Sequence, residues 1–142
     1  MSGQIVSEAA GFYNSLYSAS VAAAGTVTGG TVEAPANIKN AVIQTVLTYG
    51  SGGTNCTAYV QTSLDQNTNW VDIASLQFTT ATASKVVSLA TTGSTTVVTP
   101  TDGSLTANTA VNGILGDRFR VKVVTTGTYA TTTLAVTAVT KG

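Results

Sequence analysis

Histidine is absent from this 142-residue chain, which removes the commonest general base and the commonest imidazole metal ligand together. Cysteine occurs once, as Cys56, so neither an intramolecular disulfide nor a thiolate zinc cluster can form. At the start of a strand, Cys56 is either a small buried hydrophobe or, since an odd cysteine can pair between subunits, an intermolecular bridge. Charge is scarce as well. Charged residues are 8% of the chain and the formal net charge is zero, against the ~25% usual for soluble domains. With so little long-range field to steer DNA, RNA or anionic lipid, no specific nucleic acid is expected as a partner. Every apolar run is broken by Thr, Ser or Gly before it reaches the length of a membrane span, so no membrane role is expected either. The opening MSGQIVSEAAGFYNSLYSASVAAAG ends in small residues but has no basic n-region and no uninterrupted apolar stretch. Use inside a cell, without export, is the expectation.

What is present is threonine, with serine, asparagine and glycine behind it. Such a surface desolvates at low cost, because threonine loses little side-chain entropy and no charge is stripped of water. It suits assembly into a larger body. The length is one domain's worth and buries a core without staples.

Residues 1–36, rich in Ala, Ser and Gly up to Pro35, are set apart from 37–142 and form a candidate arm. Ile5, Ala9, Phe12 and Leu16 lie on one helical row and Val6, Ala10, Tyr13 and Tyr17 on the next, a period that favours a short helix. Gly11, Asn14 and the lack of a capping box argue for an extended arm instead. Either form packs on its own domain or on a neighbouring subunit, which makes Ile5, Phe12, Tyr13, Leu16 and Tyr17 candidate subunit contacts. The β-pattern beginning after Pro35 predicts that the chain folds without residues 1–30.

From Ile38 the pattern is β. Ala41, Ile43, Thr45 and Leu47 share one side of a strand before Gly50-Ser51-Gly52-Gly53. Shorter strands are expected over Lys85 to Leu89 and Thr95 to Thr99, and a hairpin over Arg118 to Thr125 and Tyr129 to Val139. Turns at Thr92-Gly93-Ser94, Pro100-Thr101-Asp102-Gly103, Asn112-Gly113 and Thr126-Gly127 space them regularly. The fold class that follows is all-β: an antiparallel β-sandwich, jelly-roll or Ig-like, with an N-terminal arm or short helix.

Between Ala58 and Phe78 the chain reads AYVQTSLDQNTNWVDIASLQF, two strands joined by a polar turn. Ser63, Asp65, Asn67 and Trp70 resemble an Asp-box, the Ser-x-Asp-x-Gly-x-x-Trp hairpin turn. That likeness implies a carboxylate tying the loop amides and an indole packed beneath. Asn67 takes the place of the expected glycine, and Asn is the next best residue at positive φ. The motif is architectural and occurs once, so no propeller of repeated boxes follows.

Candidate chemistry is thin. Asp65 and Asp72 are the only acids close in sequence, but Asp65 is occupied by the turn, which argues against a glycosidase pair. Asp65, Asn67 and Asn69 alternate like calcium ligands but lack the bidentate acid that completes such a loop. Arg118, Arg120 and Lys122 share one strand face, opposite Phe119, Val121 and Val123. They form a phosphate track, a solvated face that blocks edge pairing, or a row that pairs with acids of an adjacent subunit. Tyr59 and Trp70 make a sugar-stacking platform or core. No base activates the many hydroxyls, and P-loop, Rossmann and zinc patterns are missing. No enzymatic activity and no cofactor are expected.

The hairpin of Ala58 to Phe78, together with the tail ILGDRFRVKVVTTGTYATTTLAVTAVTKG, resembles small β-sandwich virion proteins of tailed bacteriophages. The resemblance covers Ala58 to Gly142 and implies a capsid decoration or cement protein, assembled in the host cytoplasm into the virion. Its implied partners are the major capsid protein and copies of itself, with a trimer at threefold positions. A tail or head-tail connector component and a carbohydrate-binding sandwich module are the alternatives. No catalytic residue is carried over.

Overall fold

A computed structural model describes residues 12–34, 38–91 and 95–142, with only the backbone of Phe12. Eleven strands follow in order: β1 Phe12–Val21, β2 Gly25–Thr28, β3 Val32–Glu33, β4 Asn40–Thr48, β5 Ser51–Gly52, β6 Asn55–Ser63, β7 Val71–Phe78, β8 Ala83–Ala90, β9 Arg118–Thr126, β10 Tyr129–Ala130 and β11 Thr132–Lys141. Among the described residues there is no helix. Four strands form one sheet in the order β1-β11-β4-β8, and β2-β9-β6-β7 form the other, with β3 also on β9. All pairings are antiparallel, and β5 with β10 makes a small corner ribbon. The chain is thus an antiparallel β-sandwich.

The period-two pattern explains the layers. On β4, Ala41, Ile43, Thr45 and Leu47 are buried while their neighbours face out. Ile43 and Leu47, with Leu16, Val21, Leu89, Leu134 and Val136, form one core with Cys56, Ala58, Val60, Ile73, Phe78, Phe119, Val121 and Val123 of the opposite sheet. Each large aliphatic buried there stabilises the sandwich by ~1.5–3 kcal/mol before costs are counted. At the corner, Tyr129 donates its hydroxyl to Thr79 O at 2.7 Å and meets Tyr49 edge to face. Gly53, at φ 72°, is required beneath it, because a Cβ there would run into the Tyr129 ring.

Three expectations change. The helical period at Leu16, Tyr13 and Tyr17 belongs to a strand: β1 pairs with β11 over its whole length, with a bulge between Ser15 and Tyr17. The extra residue shifts the alternation and imitates a helical row. Residues 12–34 are therefore not a projecting arm but strands laid into both sheets. Ile5 and the junction at Pro35 lie outside the described residues. Thr95 to Thr99 is not a strand; Val97 is 94% exposed, and a segment with no buried face gains nothing from the pleat. Thr92-Gly93-Ser94 lies outside the described residues.

The connection from β8 to β9 folds over the second sheet. It runs beside β7, with Asp72 N donating to Thr101 O at 2.8 Å, Ser75 N to Thr109 O at 2.9 Å and Val111 N to Ile73 O at 2.9 Å. This cover leaves β7 buried on both faces, except at Gln77.

Candidate functional site

The polar groups concentrate where the β6–β7 turn and the β8–β9 connection meet the outer face of the second sheet. In the turn, Ser63 Oγ accepts from Asn67 N at 2.9 Å. Asp65 Oδ1 accepts from Asn69 N at 2.8 Å, and Oδ2 from Asn69 Nδ2 at 2.7 Å. These donors, the Asn69 backbone first and its side chain second, hold the Asp65 carboxyl below the ordinary carboxylate range. Gln66 and Asn67 both have positive φ, 58° and 76°. The Asp-box geometry of Ser63, Asp65 and Asn67 is in place, and both Asp65 oxygens are taken up by the turn's own donors.

Trp70 is 8% exposed, and the Arg120 guanidinium lies 4.4 Å from its ring centroid. This cation over the indole face leaves no open sugar platform with the half-buried Tyr59. Arg120 Nε donates to Gln61 Oε1 at 2.7 Å. Gln61 Nε2 in turn donates to Asp72 Oδ1 at 2.8 Å and to Asp102 Oδ1 at 2.6 Å. Lys122 Nζ reaches the same Asp102 oxygen at 2.7 Å, and Arg120 Nη2 lies 3.6 Å from it.

Asp72 anchors this cluster. The residue is 1% exposed. It accepts from Thr101 Oγ1 at 2.8 Å, Gly103 N at 2.8 Å, Ser104 N at 3.0 Å and Leu105 N at 3.1 Å. Gly103, at φ 86°, lets successive amides converge on one carboxylate. The arrangement is a clamp: a buried anion organises the connection, and Asp102 at its tip pairs with Lys122 and, at longer range, with Arg120 of β9.

Arg120 and Lys122, expected as subunit contacts, are thus paired with this chain's own Asp102. Arg118 sits 3.7 Å from Asp117. Local acids and a stacking ring engage Arg120 and Lys122, while Arg118 Nη1 is buried beside Asp117 without a hydrogen-bond partner among the described residues, so the row forms no open phosphate track. Leu16 is core, Tyr17 packs partly against it, and Tyr13 is 69% exposed. Ile5 and the Phe12 side chain lie outside the described residues. Cys56 is buried at 0% exposure and its thiol is pushed up by burial, so no surface sulfur is offered for an intermolecular bridge. Gln61 and Asp72 as anchors escaped the sequence. The one legible signal was the Asp102-Gly103 turn.

The Asp102 carboxyl is lowered from the ordinary 3.8, by the Lys122 hydrogen bond first and the Gln61 hydrogen bond next, against partial desolvation. A folded value below the unfolded one gives stability that is complete above the unfolded pKa and is lost as pH falls through the folded one. The difference in unfolding midpoint between the native chain and Asp102→Asn is expected to be constant near neutrality and to shrink below about pH 4. Urea titrations across pH check this. A difference independent of pH would show that the carboxylate charge is not what matters.

No family model matches the chain, and no curated protein matches it. Among solved structures it is similar to the PBSX exported protein XepA, with a TM-score of 0.57 and 12% sequence identity. The match covers 94% of this chain and 38% of that one, so the chain spans well under half the length of XepA. At that identity the two share an all-β architecture, and the likeness is one of fold.

Proposed function

We propose that the chain is a non-enzymatic structural component of a phage virion, most specifically a capsid decoration or cement protein that bridges capsid subunits. The observation that carries this reading is the outer face of the four-stranded sheet. Its cross-strand rows run from Tyr13, Val139, Val42 and Ser88 to Ser20, Thr133 and Thr48. No charged side chain stands among them, and Tyr13, Val42 and Val139 are exposed side by side. Four strands at ~4.8 Å spacing and ~3.3 Å per residue present roughly 500 Å2 of flat, cheaply desolvated surface. That is near the lower end for one side of a specific contact, and symmetry repeats such a contact many times. The phage-derived origin of XepA supports the same context. In this reading the partners are the major capsid protein and further copies of the chain.

Labelled protein incubated with purified phage particles and viewed by negative stain tests the proposal. Label spread over the capsid is expected. Label confined to the tail or a vertex makes the chain a connector instead, and particles without label overturn the virion role.

A further inference from the structure

Among the described strand edges, the stretch of β8 from Ser84 to Ser88 is left open, the connection closing the edge only at Ala90. On the β1 edge a bulge interrupts the register, and the β7 edge is covered by the connection. On the far side of that sheet, β2 and β3 are short and interrupted. β8 is eight residues long, pairs with β4 in unbroken register and contains no proline. Its only charge, Lys85, turns its ammonium back onto Gln77 O and Asn108 Oδ1. Bulges, proline and outward lysine are how native edges avoid pairing; β8 uses none of them.

The hydrogen bonds show which backbone groups face outward. Ala90 N donates to Asn112 Oδ1, and Ala90 O accepts from Gly113 N, both away from β4. Thr91 N, one residue on, turns back to Lys39 O. By the alternation of an antiparallel ladder, Ser84, Val86 and Ser88 also point their N–H and C=O groups to the open edge. Alongside lies an open groove of about 390 Å3, lined by Leu76, Val87 and Ala110. Ser75 also lines it, and its buried Oγ has no hydrogen-bond partner among the described residues.

We infer that this edge pairs with the β8 edge of a second copy of the chain, antiparallel, about a twofold axis at Val86. The sequence around that residue is self-complementary: Val86 meets its own copy, and Ser84 meets Ser88 on both sides. Each pair exchanges both of its main-chain hydrogen bonds. Val87 of each copy, which lines its own groove and packs on its own core, stands opposite Lys85 of the other, whose charge is already engaged, so no like charges stand directly opposed. The product is one eight-stranded sheet whose outer face is doubled. It is a twofold contact, in place of the threefold one that family analogy suggests, and it holds wherever the protein acts.

Light scattering on the purified full chain at sub-millimolar concentration tests the inference. A dimer is expected for the native protein. Val86 is 63% exposed, so Val86→Lys leaves the fold intact, yet it sets two ammonium groups together on the axis and is expected to give a monomer with an unchanged melting temperature. Val86→Cys is expected to be joined by a short bismaleimide, since Cys56 is buried. Val97→Cys, on the exposed connection, is the control that stays single. A monomeric native chain, or a dimer that Val86→Lys leaves intact, overturns the pairing. A dimer that decorates no particle overturns only the virion role.

Discussion

A chain lacking residues 1–34 is expected to be unfolded. The deletion removes β1, β2 and β3. It uncovers the long pairing of β1 with β11 and withdraws Leu16 and Val21 from the core. Those two side chains alone represent about 3–6 kcal/mol of burial, set against a total stability of ~5–15 kcal/mol for a typical domain. The losses add to a new apolar edge along β11, which favours aggregation. Circular dichroism and urea unfolding measure the result, and a cooperative β-sheet transition in the truncated chain would sink the claim. The β-pattern after Pro35 pointed the opposite way, because it is self-sufficient as a pattern without being self-sufficient as a sheet.

Asp72→Ala is expected to cost roughly 3 kcal/mol, since it strips one acceptor from a hydroxyl, three converging amides and the Gln61 side chain at once. In a domain of this size that lowers the melting temperature by about 10 °C. The damage is local in origin: the connection around Gly103 should be cut faster by protease well below the melting temperature. Asp72→Asn keeps the shape and one acceptor but turns an N–H toward other donors, and should fall between the two. If Asp72→Ala leaves proteolysis of the connection unchanged, the carboxylate does not hold it.

The sheets were legible where one face is dry and the other wet. Ala41, Ile43, Thr45 and Leu47 announce β4 by alternation alone, and Phe119, Val121 and Val123 do the same for β9. Ser63, Asp65 and Asn67 announce their turn because its bonds are local in sequence. Two kinds of residue misled. Leu16 sits in a bulge, which breaks the period that identifies a strand. Gln61 and Asp72 sit at outward positions that a distant connection buries; their partners in that connection are 29 to 41 residues away, and no local pattern encodes a partner so remote. The cations of β9 look solvated for the same reason, since Asp102 arrives from another part of the chain.

The pairing of β1 with β11 also governs when the protein can exist. Val21 is made early and Thr132 late, yet each is the other's ladder neighbour. The first sheet therefore cannot close until β11 has been made, and until then β1 waits, unpaired and partly apolar. Folding is paced by the search for non-local strand partners, on the millisecond-to-second scale of such topologies. A ribosome stalled before Thr132 should hold an unfolded, protease-sensitive nascent chain, whereas a chain freed with β11 complete should form the whole sandwich in one step.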